Sequence, residues 1–212
     1  PTAANPLAFN SDGTWSDRPA ATTLGSYLVE YEPALAPADS GNLLVNGSFE
    51  EPGNMGPFSG SDTVGPGQLP GWQIDHGTVD LVPVGIWQPA PGQGRQFVHL
   101  LGQPGAAGAI AQTIPTDPGR LYVLTGWIAH DPAIAEGRVN VLIVGQLLAQ
   151  VVHGTALYGP ETTADLRWQP FLLTFQATGS STTLRFVDAT GISPTHGAAL
   201  DGLAVVAADY WS

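Results

Sequence analysis

From residue 41 onward, apolar and polar residues alternate in short runs that turn chemistry keeps interrupting. In Thr182–Val187, Leu184 and Phe186 fall on one side and Thr183, Arg185 and Val187 on the other, the period of two expected of a half-buried strand. Comparable runs are Asn42–Val45, Val79–Val82, Gln96–Leu101, Ala109–Ile114, Leu121–Ala129, Val139–Val144, Leu147–Val152, Phe171–Thr178, Thr182–Asp188 and Ala199–Val206. Pro-Gly, Asp-Gly, Thr-Gly and Gly-Pro pairs separate them, as in antiparallel all-β domains. The stretch Val141–Val152 also suits a buried helix, but its Val and Ile residues and its central Gly145 favour a hairpin turning at Gly145-Gln146. Roughly ten strands in about 170 residues predict an all-β, antiparallel two-sheet jelly-roll sandwich.

Residues 1–40 are different and are expected to form an extended N-terminal arm and linker ahead of a sandwich domain over 41–212. The arm contains one strand-like run, Ser26–Glu32, in which Tyr27, Val29 and Tyr31 share a face, followed by the Pro- and Ala-rich segment 33–40. So short a piece cannot bury a core by itself. Its apolar face needs a sheet to pack against, either its own sandwich or a neighbour's.

Composition narrows the chemistry. Six basic residues, all arginine, stand against 18 acidic ones, for a formal charge of −12, and there is neither Lys nor Cys. No basic stripe is available to neutralise phosphates, so nucleic acid is not an expected partner. Disulfides, thiolate metal sites, Schiff bases and a P-loop lysine are all excluded. No run of 18 apolar residues is present to insert into a membrane. The chain opens at Pro1 without Met, which is expected of a processed product, and the low charge with many Thr, Ser and Gly residues is expected of a secreted or cell-surface protein.

Several motifs carry a resemblance. Asn42–Glu50, Leu69-Pro-Gly-Trp72, Val79–Val82, Gly108–Ile114, Pro118–Tyr122 and Ala199–Val205 resemble the galactose-binding-like jelly rolls. More narrowly, they are similar to the cell-wall-associated domain of unknown function found in plants and in bacterial anchored surface proteins, and to several carbohydrate-binding modules. That resemblance implies a structural calcium joining the first strand to the last, and the matching positions are Ser48, Glu50 and Asp201. Hard oxygen donors suit that ion. In the alternative reading, Glu50 accepts backbone hydrogen bonds at the sheet end and Asp201 caps a turn. Asn46-Gly-Ser48 is also a formal glycosylation acceptor, but its place in the motif favours a turn. Within the arm, Leu7–Asp17 with Gly25–Glu32 resembles the last strands of a C-type-lectin-like domain, which implies a remnant of a longer surface protein and carries no sugar or metal site here.

The five histidines, 76, 99, 130, 153 and 196, show no metal-ligand spacing, and His99 and His130-Asp131 read as surface or turn residues. No Gly-x-Ser-x-Gly elbow or singled-out carboxylate pair supports an enzyme. Aromatic rings are more informative, because flat Trp and Tyr faces pack against sugar rings while amides read the hydroxyls. Trp87, on a loop-like Gly/Pro-rich segment, is the expected platform, with Gln88, Gln103 and Tyr158 as neighbours; packing in the interior is the competing role for Trp87. Trp72 and Trp127 read as core, and Trp168 and Trp211 as either. Two functions follow. One is a secreted, non-catalytic module, stabilised by calcium, that binds polysaccharide or cell-wall glycan. The other is a subunit of an extracellular fibre that polymerises with copies of itself by donating the Tyr27–Tyr31 strand.

Overall fold

The computed structural model describes residues 7–9, 15–17, 41–52, 62–103, 106–191 and 195–208. The chain divides into two units, Pro1–Ala34 and Leu35–Ser212. The first contains an antiparallel pair, β1 (Leu7–Phe9) and β2 (Trp15–Asp17). The expected assembly residues Tyr27, Val29 and Tyr31 lie outside the described residues, as does Trp211.

In the second unit the order is β3 (Asp62–Val64), β4 (Gln73–His76), β5 (Val79–Pro83), β6 (Gln96–His99), β7 (Ala109–Pro115), β8 (Leu121–His130), β9 (Glu136–Ile143), β10 (Gln146–Gly154), a single helical turn α1 (Thr155–Tyr158), then β11 (Gln169–Gln176), β12 (Ser181–Asp188) and β13 (Ala198–Ala207). Two antiparallel sheets form a sandwich, one ordered β10-β9-β12-β7-β4 and the other β11-β8-β13-β6-β5-β3. Among the described residues no helix is long and apolar enough to cross a membrane.

Alternation places the core. In β12, Thr182, Leu184, Phe186 and Asp188 point inward and Thr183, Arg185 and Val187 outward. Between the sheets, Phe49, Trp72 and Phe186 form an aromatic centre with Val98, Leu124, Leu184, Leu200 and Val205. The hairpin in Val141–Val152 forms, but it turns at Val144-Gly145, one residue earlier than expected. Both residues have positive φ, 48° and 78°, the geometry of the two-residue turn whose twist matches paired strands. Asn42–Val45, expected as a strand, is irregular instead. Asn42 Oδ1 accepts from the amides of Leu44 and Val205, and the Leu43 amide donates to Val205, so this segment ties the start of the unit to β13 without joining a sheet. Asn46 is consumed by the turn, its side chain bonding Glu51 and Pro70.

Strand β13 carries an irregularity between Asp201 and Ala204. Ala198 and Leu200 face the core before it and Leu203, Val205 and Ala207 after it, so an extra residue has shifted the alternation, as a bulge does. Asp201 is left on the outer side of the six-stranded sheet.

Candidate functional site

That outer side carries a second apolar layer. β5, β6, β8 and β13 present Val82, Phe97, Ala129 and Ala199, and the segments around Ala90 and Leu166–Trp168 cover them, with Ile86, Trp87 and Trp127 half-buried at the margin. Trp87 lies parallel to Phe97 at 6.2 Å and edge-on to His99 at 5.5 Å, while Trp168 meets Phe97 edge-on at 5.1 Å. Trp72 is a core residue, as expected. Trp127 sits instead in this outer layer, with its Nε1 buried and lacking a hydrogen-bond acceptor.

The segment that carries Trp87 is fixed at several points. Its ends close by the Val84 amide donating to Arg95 at 2.6 Å. Gln88 donates its amide to Thr163, and its carbonyl accepts from Trp168 Nε1 at 2.9 Å. The Ala90 amide donates to Asp201 Oδ2 at 3.1 Å. Glu50 Oε1 accepts from the amides of both Arg95 and Gln96. At Gly94, with φ of 115°, a Cβ would stand 2.5 Å from the Glu50 carboxyl carbon, so only glycine lets that carboxylate approach.

Glu50 and Asp201, expected as calcium ligands, therefore anchor this loop, and Ser48 is half-buried in the turn before Glu50. Asp201 is fully buried. Burial pushes its carboxyl well above the usual range and the negative charge of Glu50 adds to this, while the amides of Ala90 and Gly202 oppose it. Carboxylate oxygens are the donor type a hard divalent cation takes, and here both Asp201 oxygens and Oε1 of Glu50 already accept backbone amides. Gln88 is exposed beside Trp87, whereas Gln103 donates its amide to Thr78 and Tyr158 stacks on His153 at 5.0 Å, so these two have other neighbours.

The histidines depart most from expectation. His99 and His130 are buried, not surface residues. His130, at the end of β8, His153, in β10, and Glu161, in the loop after α1, converge with every side chain fully enclosed. The two Nδ1 atoms are 2.7 Å apart, His130 Nε2 is 3.3 Å from Glu161 Oε2, and His153 Nδ1 is 3.6 Å from Oε1. Burial lowers His153 to about 4 and raises Glu161, with His130 opposing the latter. No spacing signals this cluster, because its members come from two sheets and a loop.

Residues 42–206 match the family model described as "Protein of unknown function (DUF642)". No curated protein matches the chain. Similar solved structures include a family 35 carbohydrate-binding module from Clostridium thermocellum, 16% identical with a TM-score of 0.46, over 68% of this chain and 97% of that one. TmCBM61 in complex with β-1,4-galactotriose is 15% identical with a TM-score of 0.46, over 78% and 98%. The CBM22-1 xylan-binding domain of Xyn10C from Paenibacillus barcinonensis is 14% identical with a TM-score of 0.44, over 71% and 97%.

Proposed function

The chain belongs to the DUF642 family, and since membership supplies a fold and no ligand, we propose from the site itself that it is a non-catalytic, extracellular module that binds carbohydrate over the loop Val84–Arg95. The observation that carries this is a half-buried tryptophan on a loop fixed at both ends and in the middle. Trp87 stacks on Phe97 and is half-buried, so the indole is held against the outer layer while part of it stays accessible to the C–H groups of a sugar ring. Gln88, exposed next to it, supplies an amide for hydroxyl groups. Because the loop is already ordered, binding does not have to pay for ordering it.

Glu50 and Asp201, with Ser48, are the residues that would hold calcium. The ion would supply positive charge to the half-buried Glu50 and the buried Asp201 and so strengthen the anchor of the loop. On this reading the metal and the sugar contact would share one structural unit. Gln103 and Tyr158 are not part of it.

Glycan-array binding of the whole chain, repeated with Trp87→Ala, tests the proposal. Affinity should fall at least about tenfold, the size of a 1.4 kcal/mol contact, with the unfolding transition retained. An array without a hit, or a variant that binds as well as the parent, would overturn it.

A further inference from the structure

The hydrogen-bond geometry of the buried histidine pair is over-determined. His153 Nε2 lies 2.8 Å from the carbonyl of Arg167, and His130 Nε2 lies 3.1 Å from the carbonyl of Ile134. Carbonyls only accept, so each Nε2 must carry its proton. Both rings then present a bare Nδ1, and the two Nδ1 atoms face each other at 2.7 Å. Two lone pairs at that distance repel unless something positive lies between them.

The carboxylate beside them is equally incomplete. The Glu161 side chain is fully enclosed, with Oε2 3.3 Å from His130 Nε2 and Oε1 3.6 Å from His153 Nδ1, yet neither oxygen receives a hydrogen bond. A buried polar group left this way is costly, and native structures rarely keep one without a reason. A third proton on the two rings would fill the gap between the nitrogens and give Glu161 a counter-charge at 3.3 and 3.6 Å, but with both Nε2–H groups directed at carbonyls neither carboxylate oxygen would gain a hydrogen bond.

We propose that His130, His153 and Glu161 hold a divalent transition-metal ion through the two Nδ1 atoms and the carboxylate, with zinc the best match to two imidazoles and one carboxylate. One ion satisfies every open requirement. Both rings stay neutral, both Nε2–H groups keep their carbonyl acceptors, and Glu161 gains its missing partner. The carbonyl partners of Nε2 are the outer contacts that usually fix the tautomer of a metal-binding histidine. Arg167 holds a left-handed backbone, φ 52°, at the residue whose carbonyl performs this. Two nitrogens on a tetrahedral zinc ion lie about 3.3 Å apart, given bonds of about 2.0–2.1 Å, so the pair need separate by only about 0.6 Å. A fourth position is left for water, and the part-exposed ring of Tyr158 stacked on His153 puts the site one ring below the surface.

The ion would join β8 of the six-stranded sheet to β10 of the five-stranded sheet, clamping one end of the sandwich. It is distinct from the proposed calcium ligands, which are carboxylates and a hydroxyl on the outer layer.

The test uses the whole chain, stripped with chelator, dialysed and titrated with zinc sulfate in saturating calcium. One zinc should bind per chain, raise the melting temperature, and shift the Nδ1 but not the Nε2 ring resonances of His130 and His153. Cobalt substituted for zinc should give the visible bands of a low-coordinate histidine site. Glu161→Gln should weaken zinc by at least about 100-fold, while His196→Gln leaves it unchanged. Should Glu161→Gln fail to fold, the ring resonances of the parent decide alone. No stoichiometric zinc, Nε2 shifts in place of Nδ1 shifts, or loss of binding in His196→Gln with retention in Glu161→Gln would each overturn the assignment.

Discussion

Replacing Glu50 separates two roles for its carboxylate. Oε1 accepts from two successive amides, Arg95 at 2.8 Å and Gln96 at 2.9 Å. Arg95 is exposed, so in Glu50→Ala water takes its amide at little cost. Gln96 is 6% exposed, and its amide without an acceptor costs about 1–3 kcal/mol. A loss of about 2 kcal/mol corresponds to a fall of roughly 4–8 °C in melting temperature for a unit of this size. Glu50→Gln keeps a carbonyl oxygen in place of Oε1 and loses only the charge, so in chelator its cost should stay below about 1 kcal/mol. Urea unfolding of the parent and both variants, in EGTA and again in calcium, measures all of this. In EGTA only the alanine variant should be clearly weakened. Calcium should then stabilise the parent and neither variant. If Glu50→Gln is as unstable as Glu50→Ala in EGTA, the amide-anchoring argument fails; if calcium stabilises all three equally, the ion binds elsewhere.

Two further outcomes are expected. Phe97→Ala removes a fully buried ring in contact with Trp87 and Trp168, so it should cost about 3–5 kcal/mol and lower glycan affinity in parallel; a stable variant with normal affinity would contradict the outer-layer packing. His99 is held below its ordinary value of 6.5 by burial, with Asp131, Asp80 and Asp188 opposing. The unfolded chain therefore takes up a proton that the fold refuses, and stability is lost as pH falls below that value. His99→Gln should flatten the loss by up to about 1.4 kcal/mol per pH unit, and identical urea midpoint slopes for parent and variant between about pH 7.5 and 5.5 would refute it.

The sandwich was legible because most strands keep a clean alternation, as β12 does, or an apolar run, which in β13 is broken only by Asp201-Gly202. β4 was missed because Ile74 is its single buried residue, too little to show a period. The turn at Val144-Gly145 was misplaced by one residue because a β-branched residue with positive φ is strained and would not be chosen from propensity. At the site, motif positions gave Glu50 and Asp201, and loop composition gave Trp87. That these belong to one anchored loop depends on the bulge in β13, which no local pattern announces. The histidine cluster was invisible for a related reason: His130 and His153 sit in different sheets, and Glu161 lies in a polar loop that also carries Asp165. Convergence of this kind is a property of topology, which residue spacing does not record.

The position of β13 has a consequence for how the protein is made. It lies between β8 and β6, with all ten of its residues buried, and it takes the bonds from Asn42 and Leu43 that fasten the start of the unit. While Ala198–Ala207 is still inside the ribosome, β11-β8 and β6-β5-β3 are two separate ribbons with bare edges facing each other. β8 and β6 must each wait, with one edge unpaired, for this one segment to emerge and complete the sheet. Long-range pairing of this kind is slow and exposes sticky edges meanwhile. Synthesis of this chain should therefore lean on a holding chaperone until β13 emerges, and any stop codon upstream of Ala198 should yield insoluble product instead of a smaller sandwich.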